Sequence, residues 1–295
     1  MKVKLNKYLF LLFFCFTEFI FSQRLIDRNI IINPLIKGNK KIDLNVWGEF
    51  GFYRIKTDDD HSWLQKLGIV VDFYKTENFS FSGISSIEFI ADPHNDIRFN
   101  PRAIFWDEGF FITQKLNSSF LQVGYYHRCK HDVDNLSWKK ERTLIYGSIS
   151  LKYLIPNLLF KEFENYLQSR FELYTLKYDH KTPKNAIKYG YDKLAATLGL
   201  NINFNKKLND MFSLIVKPNF YLNLYSDEKN LVEQFAKIYQ IVPYFGINIG
   251  LGIGNENLIL LLFNYEYLFD AGIEFEPSKS NLISFSLFLK SLVIK

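Results

Sequence analysis

The stretch MFSLIVKPNFYLNLY, residues 211–225, alternates apolar with polar side chains along most of its length. Neighbouring side chains of a β-strand point to opposite faces, so this alternation predicts one long strand with an apolar face and a polar face. The apolar parity contains Phe212, Leu214, Val216, Phe220, Leu222 and Leu224, and the polar parity contains Ser213, Lys217, Asn219 and Asn223. A strand of this length and pattern indicates a sheet that separates two different environments.

The same period of two recurs in twelve segments of the chain. Most of these segments exceed the five or six residues that are common in soluble sheets, and they match the roughly ten residues with which a tilted strand crosses a bilayer. The segments are 43–55, 63–75, 78–91, 102–115, 119–131, 141–155, 161–177, 190–205, 210–225, 235–251, 257–268 and 280–293. Their length favours strands that cross a membrane.

The connections between these segments alternate in length. Those after even-numbered segments are short, such as TEN at 76–78, and most of the others are longer and more polar, such as DPHNDIRFNP at 92–101. Outer-membrane barrels combine short periplasmic turns with longer outward loops. The sequence therefore predicts an all-β fold, a twelve-stranded antiparallel transmembrane β-barrel of the up-and-down type with both termini in the periplasm. A soluble secreted β-sandwich or barrel explains the alternation but neither the strand length nor the loop lengths.

The first residues, MKVKLNKYLFLLFFCFTEFIFSQ, combine three lysines with a short apolar run. This pattern is typical of a secretory signal peptide, and the run is too short for a membrane-spanning helix. We expect a cleaved signal peptide at residues 1–22, a periplasmic lead-in at 23–42 and the barrel at 43–295. The predicted location is the outer membrane of a Gram-negative-type envelope.

Charge and cysteine content limit the possible partners. Removal of residues 1–22 takes away three Lys and one Glu, which lowers the formal net charge from +5 to +3. This charge is too small and too scattered to indicate nucleic acid. The expected partners are outer-membrane lipids and, during insertion, the barrel-assembly machinery. Cys129 is the only cysteine after residue 22, so the mature chain has no internal disulfide.

The polar parity of the strands predicts a barrel interior with charges of both signs and several large tyrosines. In a barrel narrower than the large porins, such side chains can pair across the lumen and fill much of it. The predicted inward charges are Lys66, Asp72, Glu88, Arg142, Lys152, Glu164, Arg170, Glu172, Lys217, Glu266 and Lys290, and the predicted inward tyrosines are Tyr74, Tyr166, Tyr174, Tyr221 and Tyr244. A wide diffusion pore is therefore not expected, whereas a narrow channel and an ion-paired interior both remain open.

One stretch, GYYHRCKHDVDN at 124–135, contains several side chains that can act as a nucleophile, a base or a metal ligand. Alternation from the apolar part of the fifth segment places His127, Cys129 and His131 in register with the lipid face, at the outer end of the strand. A thiol beside an imidazole can ionise and attack an ester, with the histidine as base. Asp132 and Asp134 are then the candidate acids that orient the histidine.

Residues 124–146 resemble the His-x-Ser region of the outer-membrane phospholipase A family, a twelve-stranded barrel with this pair on its lipid-facing side. His127 matches the family's histidine and Trp138 its tryptophan, whereas Cys129 stands in place of the serine nucleophile. Lys139 or Lys140 falls where the family has its polar orienting residue. Outer-membrane lipid A deacylases use a similar arrangement on a smaller barrel. The resemblance implies a lipid-acting ester hydrolase, for which calcium (Ca2+) is the cofactor to expect.

Two other interpretations of this stretch stay open. His127, Cys129 and His131 offer three ligands of one parity to a metal ion, although on one strand they span about 13 Å. Alternatively, the strand ends at the level of the lipid headgroups, where such polar side chains are tolerated. A second weak metal-site candidate is the loop TDDDHSW at 57–63, in which Asp58, Asp59 and Asp60 could bind a divalent cation.

Two functions are thus consistent with the sequence. The first is a non-enzymatic outer-membrane barrel without a cofactor, either a narrow channel or a surface structural protein with an ion-paired lumen. The alternative is the lipid ester hydrolase, with Cys129 as nucleophile, His127 as base and Asp132 or Asp134 as the orienting acid. The sequence alone does not decide whether the protein is an enzyme.

Overall fold

The structure is a computed structural model that describes most of the chain after residue 42. The described residues are 43–56, 61–91, 101–132, 143–159, 163–180, 191–228, 230–254, 259–268 and 280–290. The predicted signal peptide and lead-in lie outside these ranges, and so do Asp58, Asp59, Asp60, Asp134 and Arg142. The side chain of Asp132 also falls outside the described part.

The described chain consists almost entirely of twelve β-strands, as the alternation predicts. No strand end differs from its predicted position by more than four residues. The strands are β1 (Asp43–Lys56), β2 (Trp63–Lys75), β3 (Phe79–Ala91), β4 (Pro101–Leu116), β5 (Ser119–Asp132), β6 (Thr143–Pro156), β7 (Glu164–His180), β8 (Leu194–Lys207), β9 (Phe212–Ser226), β10 (Ile238–Ile253), β11 (Ile259–Leu268) and β12 (Ser280–Lys290). A 3-10 turn (Tyr191–Lys193) precedes β8, and a short helix α1 (Leu231–Ala236) lies between β9 and β10. Within the described ranges, neither helical segment is long and apolar enough to cross a membrane.

Every strand pairs antiparallel with its neighbours in the sequence, and β1 pairs with β12 to close the barrel. Connections of two to seven residues lie at one end of the barrel, which we call the short-turn end. The tightest of them places Asn117 at φ 52°, a left-handed conformation that asparagine tolerates better than most residues. Connections of six to thirteen residues lie at the opposite, long-loop end. The predicted alternation of loop lengths is confirmed.

The two faces of the wall differ in chemistry as the period of two requires. Phe110 is 59% exposed on the outer face, whereas Lys66 and Glu88 are 1% exposed inside. Seven of the predicted inward charges are buried, namely Lys66, Asp72, Glu88, Arg170, Glu172, Lys217 and Glu266. An apolar outer surface around a ring of long strands is the arrangement that a bilayer demands, since lipid offers no hydrogen bonds to polar groups.

Tyr74 is an exception, because the prediction that it faces inward is wrong. The register of β2 against β3 shifts between Asp72 and Tyr74, which puts Tyr74 opposite the outward Phe81. Tyr74 is 52% exposed, and its ring lies 6.2 Å from that of Phe79. A bulge adds one residue to a strand and so exchanges the two faces beyond it. Strict alternation cannot reveal such a shift.

A glycine on the inner face makes room for a tryptophan and gives a test of the packing. A Cβ atom on Gly68 would lie 2.2 Å from the Trp47 ring, whereas the nearest atom to one on Gly48 would be the flexible end of the Leu67 side chain at 3.2 Å. We expect Gly68→Ala to lower the free energy of unfolding by about 1–3 kcal/mol through overpacking. Gly48→Ala is the matched control with a smaller effect. Urea unfolding in lipid vesicles measures both, and equal midpoints for the two variants would contradict the described packing.

Candidate functional site

The middle of the lumen contains a buried ion network built on Arg128. This residue lies on β5, where alternation with the outward Cys129 turns it inward. Its Nε is 3.2 Å from Asp107 Oδ1 on β4, and its Nη1 hydrogen-bonds Glu172 Oε1 on β7. Arg170 donates to the other Glu172 oxygen, and the Ser148 hydroxyl also donates to Glu172. These side chains are nearly inaccessible to solvent, so each charge depends on its partners.

Smaller polar groups continue this pattern around the inner wall. Lys66 pairs with Glu88 at 3.7 Å, on adjacent strands. The Ser286 hydroxyl donates to Glu49 Oε1 at 2.6 Å, and the Asn264 amide donates to Ser286 at 3.0 Å. Ion pairs, one of the two alternatives that the inward charges left open, are therefore present inside the barrel. Its described pairs join strands that are neighbours or nearly so, instead of reaching across the lumen.

Toward the long-loop end, most of the buried inward side chains are apolar, and the buried Lys130 lies among them with its Nζ 4.4 Å from the centre of the Phe105 ring. We call the following contact cluster the apolar layer: Ile90, Ala103, Phe105, Leu144, Tyr146, Tyr174, Leu194, Tyr225 and Val242. These residues come from seven strands, including β3 and β9, which lie on opposite sides of the ring. None is more than 2% exposed. A water-filled bore would leave inward side chains wet, so the burial of these residues indicates that the lumen is filled around them.

The long-loop end also carries helix α1 beside the mouth of the barrel. Gln234 of α1 is fully buried and accepts a hydrogen bond from Lys177 Nζ of β7 at 3.2 Å. Phe235 of the same helix packs against Phe171, with ring centroids 6.2 Å apart. Nearby, burial raises the pKa of the Asp192 carboxyl above its ordinary value, and Asp179 adds to the shift. The helix therefore contacts both the inward Lys177 and the outward Phe171 of β7.

The second candidate site is on the outer face, where the structure places the His-x-Cys pair. His127 is exposed, and Cys129 and His131 are partly exposed. Cys129 lies opposite Trp106 of β4, and the Trp106 and His131 rings meet edge to face at 5.6 Å. The outward orientation that alternation predicts for these residues agrees with their exposure and register.

The described geometry does not join these side chains into a preformed catalytic or metal site. Among the described residues, no hydrogen bond links the His127 imidazole to the Cys129 thiol. The same part of the chain contains no group of three His, Cys, Asp or Glu side chains that could hold a metal ion. Asp134, Asp58, Asp59 and Asp60 lie outside it, so their predicted roles stay predictions.

One outward acid escapes the sequence-based selection of site residues. Glu108 of β4 lies directly opposite His127, with Ser85 of β3 opposite its other side. Its signal is the run WDEGF at 106–110, in which alternation gives Glu108 the parity of Trp106 and Phe110. The strand register is what brings it to His127, and register between strands cannot be read from one strand alone. Asp107, the inward partner of Arg128, was missed for the same reason.

Comparisons with known proteins concern the fold. The sequence matches no protein-family model, and a search of curated proteins returned no match. Among solved structures, an outer membrane channel from Pseudomonas putida F1 is similar with a TM-score of 0.51 at 9% identity, covering 92% of this chain and 100% of that one. Outer membrane phospholipase A from Escherichia coli is similar with a TM-score of 0.44 at 10% identity, covering 85% and 93%. The translocator domain of the autotransporter NalP from Neisseria meningitidis gives 0.40 at 8% identity, covering 88% and 90%. The chain therefore has the fold of an outer-membrane β-barrel.

The ion network gives a direct test of the lumen. Glu172→Gln removes the carboxylate that Arg128 and Arg170 share, so each of these two buried cations loses one anionic partner. We expect the free energy of unfolding to fall by about 3–5 kcal/mol. Glu164→Gln, at the exposed start of the same strand, is the matched control and should be nearly neutral. Denaturant titration of both variants in vesicles measures the difference, and a neutral Glu172→Gln would contradict the network.

Proposed function

We propose that the protein is an integral outer-membrane β-barrel that forms no open pore and acts through its outer wall and long loops. In this arrangement the short-turn end and both termini face the periplasm. The partners are outer-membrane lipids and, during insertion, the barrel-assembly machinery. No cofactor is needed for this role.

The observation that carries this proposal is the burial of inward side chains at two levels of the lumen. The apolar layer contains buried side chains of seven strands near the long-loop end, and the buried Arg128 network lies next to it in the lumen. A channel needs a continuous water path past the inward charges, because an ion in a dry, low-dielectric passage loses its hydration without replacement. Arg128 and Glu172 are fully buried, which is the opposite of what such a path requires. The narrow-channel alternative is therefore the weaker of the two non-enzymatic functions.

Conductance across planar lipid bilayers tests this proposal. The wild-type protein should give no stable single-channel steps, because the apolar layer excludes water and ions. Replacing three of its rings together, in Phe105→Ala, Tyr174→Ala and Tyr225→Ala, should raise the ion flux. The matched control replaces three outward rings, in Phe110→Ala, Tyr178→Ala and Phe220→Ala, and should stay silent. Stable steps from the wild type would contradict a closed lumen.

A second candidate function is hydrolysis of a lipid ester at the outer wall. The observation that favours it is the position of His127 and Cys129 on the outer face of the same strand. Cys129 lies directly opposite the aromatic residue Trp106 of β4. In such a reaction the Cys129 thiol gives its proton to His127 and the sulfur attacks the ester carbonyl carbon. The C–O bond breaks, and the leaving alcohol takes the proton from His127. Water then hydrolyses the thioester, which releases the fatty acid and restores the thiol.

Release of fatty acid from phospholipid and lipid A vesicles tests this second candidate. Cys129→Ala should reduce any hydrolysis by the folded protein at least about 100-fold, since it removes the nucleophile. Ser169→Ala is the matched control, because Ser169 is also exposed on the outer face but lies on β7. Hydrolysis should be measured with and without calcium. No ester hydrolysis by the wild type, or equal rates for wild type and Cys129→Ala, would contradict this candidate.

A further inference from the structure

Glu108 occupies an unusual position for a carboxylate. It is the one outward-facing acidic side chain of the strands among the described side chains, and it is exposed. Its neighbours along the outer face of β4 are Trp106 and Phe110. An ionisable group on a lipid-facing surface is costly, so it is expected to serve a partner.

The strand register identifies that partner as His127. Residues directly opposite each other in an antiparallel pair have Cβ atoms about 5 Å apart, so their side chains share one spot on the same face. Glu108 and His127 form such a pair, and on its other side His127 faces Gly147 of β6, which has no side chain to offer. An acid beside His127 can therefore come from β4 but not from the facing position of β6.

We infer that Glu108 is the positioning residue that orients the His127 imidazole toward Cys129. The carboxylate accepts a hydrogen bond from one ring N–H, which leaves the other ring nitrogen to take the thiol proton. The exposed Glu108 and His127 side chains make no hydrogen bond with each other in the described part of the chain, and rotation about their side-chain bonds is enough to form one. This inference rests on the lipid ester hydrolase candidate and assigns to Glu108 the role that the sequence alone gave to Asp132 or Asp134.

Two possible effects of Glu108 on Cys129 change the rate of Cys129 alkylation in opposite directions. Glu108 is also a diagonal neighbour of Cys129, since Trp106 is the residue opposite Cys129. A carboxylate that does no more than lie near a thiol disfavours the thiolate by like-charge repulsion, so its removal speeds alkylation. A carboxylate that orients the imidazole favours the thiolate through His127, so its removal slows alkylation.

The experiment is the rate of Cys129 alkylation by iodoacetamide at neutral pH, followed by mass spectrometry on the folded full barrel in detergent. Cys129 is the only cysteine after residue 22, so the signal comes from one site. The variants are Glu108→Gln, Glu108→Asp and His127→Gln, with Asp132→Asn and Asp134→Asn as controls for the other candidate acids. Retention of the compact folded form on unheated gels confirms that each variant is folded before its rate is measured.

We expect His127→Gln and Glu108→Gln to slow alkylation by a similar factor, roughly threefold or more. Glu108→Asp should recover part of the rate. The controls Asp132→Asn and Asp134→Asn should react like the wild type. If His127→Gln slows alkylation but Glu108→Gln leaves the rate unchanged or raises it, the role inferred for Glu108 is contradicted, while His127 still activates Cys129. If His127→Gln does not change the alkylation rate, His127 does not activate Cys129, and the hydrolase candidate is contradicted as well.

Discussion

The pairing of β1 with β12 is the constraint on which the rest of this structure depends. In lipid, water cannot satisfy a free backbone N–H or C=O group, so a sheet can cross the membrane only as a closed ring without edges. The ladder from Trp47 opposite Lys290 to Lys56 opposite Leu282 closes that ring. Closure then assigns every strand residue to one of two places, the lipid or the lumen. Because neighbouring strand residues face the lipid and the lumen in turn, apolar and polar residues alternate along the sequence.

A ring of twelve strands also sets how the lumen is filled. Its interior is too narrow to keep long charged side chains apart, so Arg128, Asp107 and Glu172 meet as a buried network. Breaking such a network is costly because each charge has lost its water. Nearer the long-loop end, most of the buried inward side chains are aromatic or aliphatic, and they come from seven strands. The proposed closed lumen directs attention to the outer wall, where Glu108, His127 and Cys129 interrupt the apolar surface.

The sequence predicted the strands, their faces and the outward position of the His-x-Cys pair because all three follow from a period of two along one strand. Tyr74 was assigned to the wrong face because a bulge exchanged the parity of β2 near its end. The apolar layer was not predicted either, because Leu144 and Tyr146 are inward residues whose apolar character says nothing about which face they occupy. Glu108 and Asp107 acquire their roles from residues on other strands. Such contacts depend on inter-strand register, which a single strand does not encode.

The most direct test of the closed lumen is the reactivity of a thiol placed inside it. Ser150, an inward residue of β6, is 1% exposed, whereas Val232 of α1 is 79% exposed. Each is changed to cysteine on a Cys129→Ala background and treated with a charged, membrane-impermeant maleimide. We predict that the Ser150→Cys protein stays unlabelled while folded and reacts fully once unfolded, whereas the Val232→Cys protein reacts at once. Labelling of folded Ser150→Cys as fast as Val232→Cys would show a water-filled lumen and contradict this account.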